Sequence, residues 1–104
     1  MSSETVYACD MMALTEEQRN RHTQVYHWLA DLRLSVQELD DGYAFEYAVE
    51  PATTALLGEF MGLEHLCCPF FRLTLAVEPE AKVVWLKVTG AEGVKEFVYA
   101  EFLS

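Results

Sequence analysis

Leu39-Asp40-Asp41-Gly42-Tyr43-Ala44-Phe45-Glu46-Tyr47, residues 39–47, is the stretch on which the fold turns. Asp-Gly between two hydrophobic runs is a strong short-range hairpin signal, and Tyr43, Phe45, Tyr47 and Val49 then alternate as a strand with one buried face requires. The run from Leu34 to Leu39 supplies the partner strand. An antiparallel hairpin therefore stands near the middle of the chain, and its neighbours have to cover one of its faces.

Working upstream, Thr15-Glu16-Glu17-Gln18 has the form of a capping box, and Val25, Trp28, Leu29 and Leu32 recur at helical spacing behind it. Thr5 to Cys9 is a short apolar stretch of strand length. Downstream, Pro51 opens a second helix with Leu56, Phe60, Leu63 and Cys67 on one stripe, and Pro69 ends it because proline supplies no amide and restrains the residue before it. Phe71, Leu73, Leu75 and Val77 alternate as another strand, residues 79–82 turn, and Val84, Leu86 and Val88 give its partner. A terminal helix carries Val94, Phe97, Val98 and Phe102. The predicted order is β-α-β-β-α-β-β-α in a single α+β domain over residues 1–104. Its first six elements, β-α-β-β-α-β, are those of a ferredoxin-like split βαβ sandwich, extended by a fifth strand and a C-terminal helix, with an antiparallel-rich sheet and helices on one face.

Seventeen acidic and seven basic side chains leave a net charge of −10. Such a field repels phosphate backbones and anionic bilayers, so neither nucleic acid nor membrane is an expected partner. The first thirty residues carry Glu4, Asp10, Glu16 and Glu17 and no apolar leader, which predicts a cytoplasmic protein. Three cysteines are an odd number and two are adjacent, a pattern that argues for reduced thiols over a disulfide framework.

The chemistry is concentrated in Glu64-His65-Leu66-Cys67-Cys68-Pro69-Phe70. Right-handed crossovers would bring the end of the first strand and the end of the second helix to one edge of the sheet, gathering Cys9, Asp10, Glu17, His22, Glu64, His65, Cys67 and Cys68 there. Adjacent cysteines suit zinc poorly, but a vicinal pair plus one more thiol suits an ion that accepts two or three sulfurs, such as Hg(II), Cu(I) or As(III). The expected ligands are Cys9, Cys67 and Cys68. Glu64, His65 and His22 are expected to support them from behind, Glu64 because it precedes Cys68 by one helical turn.

Competing readings follow from the same residues. Buried free cysteine packs as a small hydrophobe, and a helix C-terminus disfavours a thiolate. His22 shares a helix side with Val25 and Leu29, which suits a satisfied, partly buried histidine, and His27 reads as a boundary residue. Gly58 and Gly62, with Ala55, form a small-residue side of the second helix, explained by close approach to the sheet or by a homodimer contact. Thr89-Gly90-Ala91-Glu92-Gly93-Val94-Lys95 lacks phosphate-loop spacing. No nucleophile triad or carboxylate pair stands out, so the reading leans away from an enzyme.

Ala8-Cys9-Asp10, Asp41-Gly42-Tyr43-Ala44-Phe45, Glu64-x-x-Cys67-Cys68-Pro69-Phe70 and Trp85-Leu86-x-Val88-Thr89-Gly90 ahead of Gly93-Val94-Lys95-Glu96-Phe97 together resemble a group of small, mostly uncharacterised bacterial proteins. Some of that group are associated with mercury or other heavy-metal resistance genes. The resemblance covers nearly the whole chain and implies a link to soft metals, without implying a ligand or a catalytic residue. Two alternatives stand beside soft-metal binding: a thiol redox protein using the vicinal pair, and a structural or interaction protein whose cysteines fill the core.

Overall fold

Thr15 opens helix α1 (Glu16–Leu32) with a complete capping box. Its hydroxyl accepts from the Gln18 amide at 3.1 Å, and Gln18 Oε1 accepts from the Thr15 amide at 2.9 Å, so two otherwise orphaned donors are satisfied. The computed structural model describes residues 7–104. Ahead of α1 stands a 3-10 turn (Met11–Ala13), and after it come β1 (Ser35–Leu39), β2 (Gly42–Ala48), α2 (Pro51–Cys67), β3 (Arg72–Glu78), β4 (Val83–Thr89) and α3 (Val94–Phe102).

The hairpin forms where its sequence indicates, with Leu39 paired to Gly42 across a two-residue loop of Asp40 and Asp41. Gly42 serves a different purpose from the usual turn glycine. Among the described residues only Lys82 (φ 56°) and Gly93 (φ 94°) are left-handed. Gly42 instead begins β2 so close to β4 that a methyl group there would collide with the Val88 carbonyl oxygen.

All strand pairs are antiparallel in the order β1-β2-β4-β3. The two hairpins join along β2 and β4, in register from Gly42 opposite Thr89 to Ala48 opposite Val83. It follows that β2 and β3 run parallel with β4 between them, and α2 makes the crossover of one split β-α-β unit. Phe45 faces Leu86 and Tyr47 faces Val84 on the inner side. There Tyr26 and Leu29 of α1, Phe60 of α2 and Phe102 of α3 converge on them, so all three helices meet one face of the sheet.

The architecture is α+β, as read, but the expected fifth strand is not found among the described residues. Of the Thr5–Cys9 stretch, Thr5 and Val6 lie outside those residues, while Tyr7 to Asp10 follows an irregular path. The unbroken pairing of β2 with β4 leaves no central slot for another strand, and the Asp10 amide is bonded to the end of α2 instead of to the sheet. The element order is therefore α-β-β-α-β-β-α over these residues.

Two further differences concern helix faces. Val25 and Leu29 are buried while Trp28 and Leu32 are exposed, so the apolar stripe of α1 is narrower than its spacing suggested. Gly58 and Gly62 are exposed, and a methyl group at either would meet nothing, so close approach to the sheet does not explain them.

Candidate functional site

Glu64 and Cys67 stand one turn apart at the end of α2, both buried. The helix stops because Pro69 cannot prolong it. Cys68 becomes the cap, its amide donating to Glu64 O at 2.7 Å, and Phe71 N donates to Cys68 O at 3.2 Å as the chain turns toward β3. A helix end leaves carbonyls without intrahelical partners. One of them, Cys67 O, accepts from the Asp10 amide at 2.8 Å. The Asp10 carboxylate accepts from Met12 N at 3.0 Å and holds the 3-10 turn that packs on α2.

That backbone bond brings Cys9 beside the cysteine doublet without a strand. Cys9 and Cys68 are joined as a disulfide, with Cα atoms 4.7 Å apart and a sequence separation of 59. The reduced trio expected from an odd cysteine count is thus one long-range bond plus one free thiol, Cys67. Spacing could not reveal this, because the bond joins Cys9 to one member of the doublet and leaves its neighbour out. Cys67 Sγ lies 3.6 Å from Cys68 Sγ. Both doublet sulfurs are buried, while Cys9 is half-buried.

Glu64 is the centre of the cluster. It is 4% exposed, a costly place for a carboxyl group unless its oxygens find partners. Oε2 is 2.6 Å from His22 Nε2 on α1, and Oε1 is 3.2 Å from Cys68 Sγ. While bonded to Cys9, Cys68 carries no hydrogen, so the second contact becomes a hydrogen bond only when the disulfide is reduced. His22 is further held against the Phe60 ring, at 5.7 Å between centroids. Next to it, Arg21 grips Glu59 with two bonds of 2.7 and 3.0 Å, fixing α1 against α2. The Arg21 hydrogen bond also keeps the Glu59 carboxyl below its ordinary pKa.

Burial, reinforced by the charge of Glu64, pushes the Cys67 thiol up to about 11. It is therefore protonated at neutral pH and a poor nucleophile, since the thiolate is the reactive form. Two donor sets have their atoms within 4.8 Å of one another: Cys9, Glu64 and Cys68, and His22, Glu64 and Cys67. The other residues expected at this rim do not take part in either set. His65 is exposed, because one step beyond Glu64 rotates a side chain by about 100° around the helix, and Asp10 and Glu17 are exposed as well.

Glu64 bridges both donor sets, whereas its spacing from Cys68 marks it only as a support for the cysteines. The available signal was its position, three residues before Cys67 and on the stripe of Leu57 and Phe60. A carboxylate on a core-facing stripe has to be paired, and His22, three residues before buried Val25, was the matching group on α1. Among the described residues no helix is long and apolar enough to cross a membrane. No family model, curated protein or solved structure matches the chain.

Proposed function

We propose that this protein, with Cys9 and Cys68 reduced, binds a soft metal or metalloid ion such as Hg(II), Cu(I) or As(III) through Cys9, Cys67 and Cys68, as a scavenger, carrier or sensor accessory. The observation that supports this is the meeting of three sulfurs from two distant segments around one buried carboxylate. Thiolates are the favoured ligands of these ions, and three close sulfurs give the low coordination numbers that the ions accept. Glu64 and His22 sit where they can take up the protons that binding releases, since a ligating thiol must first be deprotonated. The ion enters past Cys9, the one half-buried sulfur.

The reading carries a compartment and a context with it. In a reducing cytoplasm thiols of this kind stay free, and the resemblance to proteins associated with heavy-metal resistance points the same way. A ferredoxin-like arrangement of the split β-α-β unit, and a homodimer packed along the open small-residue side of α2, belong to the same proposal.

Native mass spectrometry of the reduced protein with one equivalent of Hg(II) or As(III) tests it. The expected result is a one-to-one complex that is lost when Cys67→Ser or Cys68→Ser is introduced. Full binding by both variants would remove the reading.

The disulfide itself favours a second reading, thiol redox chemistry. In this reading a reduced thiolate attacks a peroxide, leaving a sulfenic acid and hydroxide. The partner thiol of the Cys9–Cys68 pair then attacks the sulfenic sulfur, its proton leaving with the hydroxyl group as water to close the bond, and an external dithiol reopens it by becoming a disulfide itself. Mild peroxide treatment should then yield the Cys9–Cys68 bond with Cys67 still a thiol. Thiols that stay inert to peroxide would exclude this second reading.

A further inference from the structure

With Cys9 and Cys68 tied to each other, Glu64 and Cys67 keep a third partner that the soft-ion reading uses only as a support, His22 on α1. We infer that His22 Nε2, a Glu64 carboxylate oxygen and Cys67 Sγ form a site for a borderline divalent metal ion, best suited to Zn(II), which stands while the disulfide is intact. The inference does not rest on soft-ion binding, because it needs neither Cys9 nor Cys68 as a ligand. The two occupancies share Cys67 and so exclude each other.

The donor chemistry differs from that of the thiol trio. One imidazole nitrogen, one carboxylate oxygen and one sulfur make a mixed set of the kind zinc takes, and three protein ligands leave a fourth position for water. The charge also closes. A divalent ion against one carboxylate and one thiolate is neutral, which matters where Glu64 is 4% and Cys67 1% exposed, because buried net charge is costly.

The geometry asks for little movement. Bonds of about 2.0–2.3 Å in a tetrahedron space the donors about 3.3–3.6 Å apart. The three residues offer donor atoms that already lie within 4.8 Å of one another, and His22 Nε2 stands 2.6 Å from Glu64 Oε2. That pair has to open by somewhat under about 1 Å. Glu64 and Cys67 lie one turn apart on α2, and the Arg21–Glu59 clamp and the Phe60 ring hold His22 facing them from α1. The His22 side chain is 13% exposed, so it forms the solvent side of the site and the path by which an ion and its water arrive.

Co(II) and Zn(II) titrations of the chelator-stripped, disulfide-intact protein test the inference. One equivalent of Co(II) should give intensified visible bands and a thiolate-to-cobalt charge-transfer band, both removed by Zn(II). Cys67→Ser should abolish the charge-transfer band, and His22→Gln should weaken Co(II) binding by about tenfold or more. A spectrum of weakly bound aquo-like cobalt, or a charge-transfer band that survives in Cys67→Ser, would overturn the assignment. If either variant fails to fold by circular dichroism, X-ray absorption on the zinc-loaded wild-type protein decides. One sulfur with nitrogen or oxygen neighbours supports the site; no sulfur, or more than one, contradicts it. A protein that fails here yet binds As(III) when reduced would lose this site and keep the proposed function.

Discussion

His22 on α1 and Glu64 on α2 are joined across the helix interface at 2.6 Å, and through its other oxygen Glu64 touches Cys68 at 3.2 Å. One buried carboxylate thus connects a histidine with the cysteine end of α2, and the stability of that end depends on it. Glu64→Ala should destabilise the protein by about 1–3 kcal/mol, the cost of leaving a buried partner unsatisfied. Glu64→Gln, which keeps the shape and can still bond a neutral imidazole, should cost less. Urea unfolding checks both, and an alanine variant as stable as wild type would contradict this role.

Cutting the disulfide should be felt throughout the fold. A bond between residues 59 apart restricts the unfolded chain by about 4 kcal/mol in the chain-entropy model. Reducing agent, or Cys9→Ser, should lower the unfolding free energy by that order. A comparison of urea midpoints with and without reductant measures it.

Alkaline pH should weaken the fold in a defined window. The folded-state pKa of Cys67 is about 11 against an ordinary 9.0, and burial raises Tyr47 to about 12 from 10.0. In both cases the unfolded chain loses its proton first. The stabilising contribution is complete below the ordinary value and is lost as pH climbs through the folded value. Unfolding midpoints should therefore hold steady up to pH 9.0 and fall between there and about 12. Alkylation of Cys67 in the native, disulfide-intact protein should be slow at neutral pH and accelerate over the same range.

Gly58→Ala and Gly62→Ala should each stabilise the monomer by about 0.5–1 kcal/mol. Alanine is the better helix former, and its methyl group would enter open space at both positions. Thermal denaturation read together with sedimentation separates this gain from any effect on self-association. Destabilisation of a strictly monomeric protein would contradict the exposed placement of α2's small-residue side.

The features legible in the sequence were those set by local chemistry. Thr15 with Gln18, and Pro51 and Pro69 around one apolar stripe, each satisfy backbone donors or restrict φ within a few residues, so their elements appear where expected. The missed features depend on distant partners. Thr5 to Cys9 has strand composition, yet the Asp10 amide is bonded to Cys67 O and the β2–β4 pairing fills the centre of the sheet. Gly42 resembled a turn glycine, but the constraint on it comes from Val88, 46 residues along the chain. The Cys9–Cys68 bond likewise joins groups far apart in sequence, which no residue spacing encodes, whereas the helical stripes mark Glu64 and His22 as facing the core without showing that they meet.

X-ray absorption at the arsenic edge, on fully reduced protein loaded with one equivalent of As(III), tests soft-ion binding most directly because it counts the sulfurs. The account predicts three sulfur neighbours per arsenic, supplied by Cys9, Cys67 and Cys68. An arsenic with oxygen neighbours only, or an unchanged sulfur count after Cys9→Ser, would contradict it.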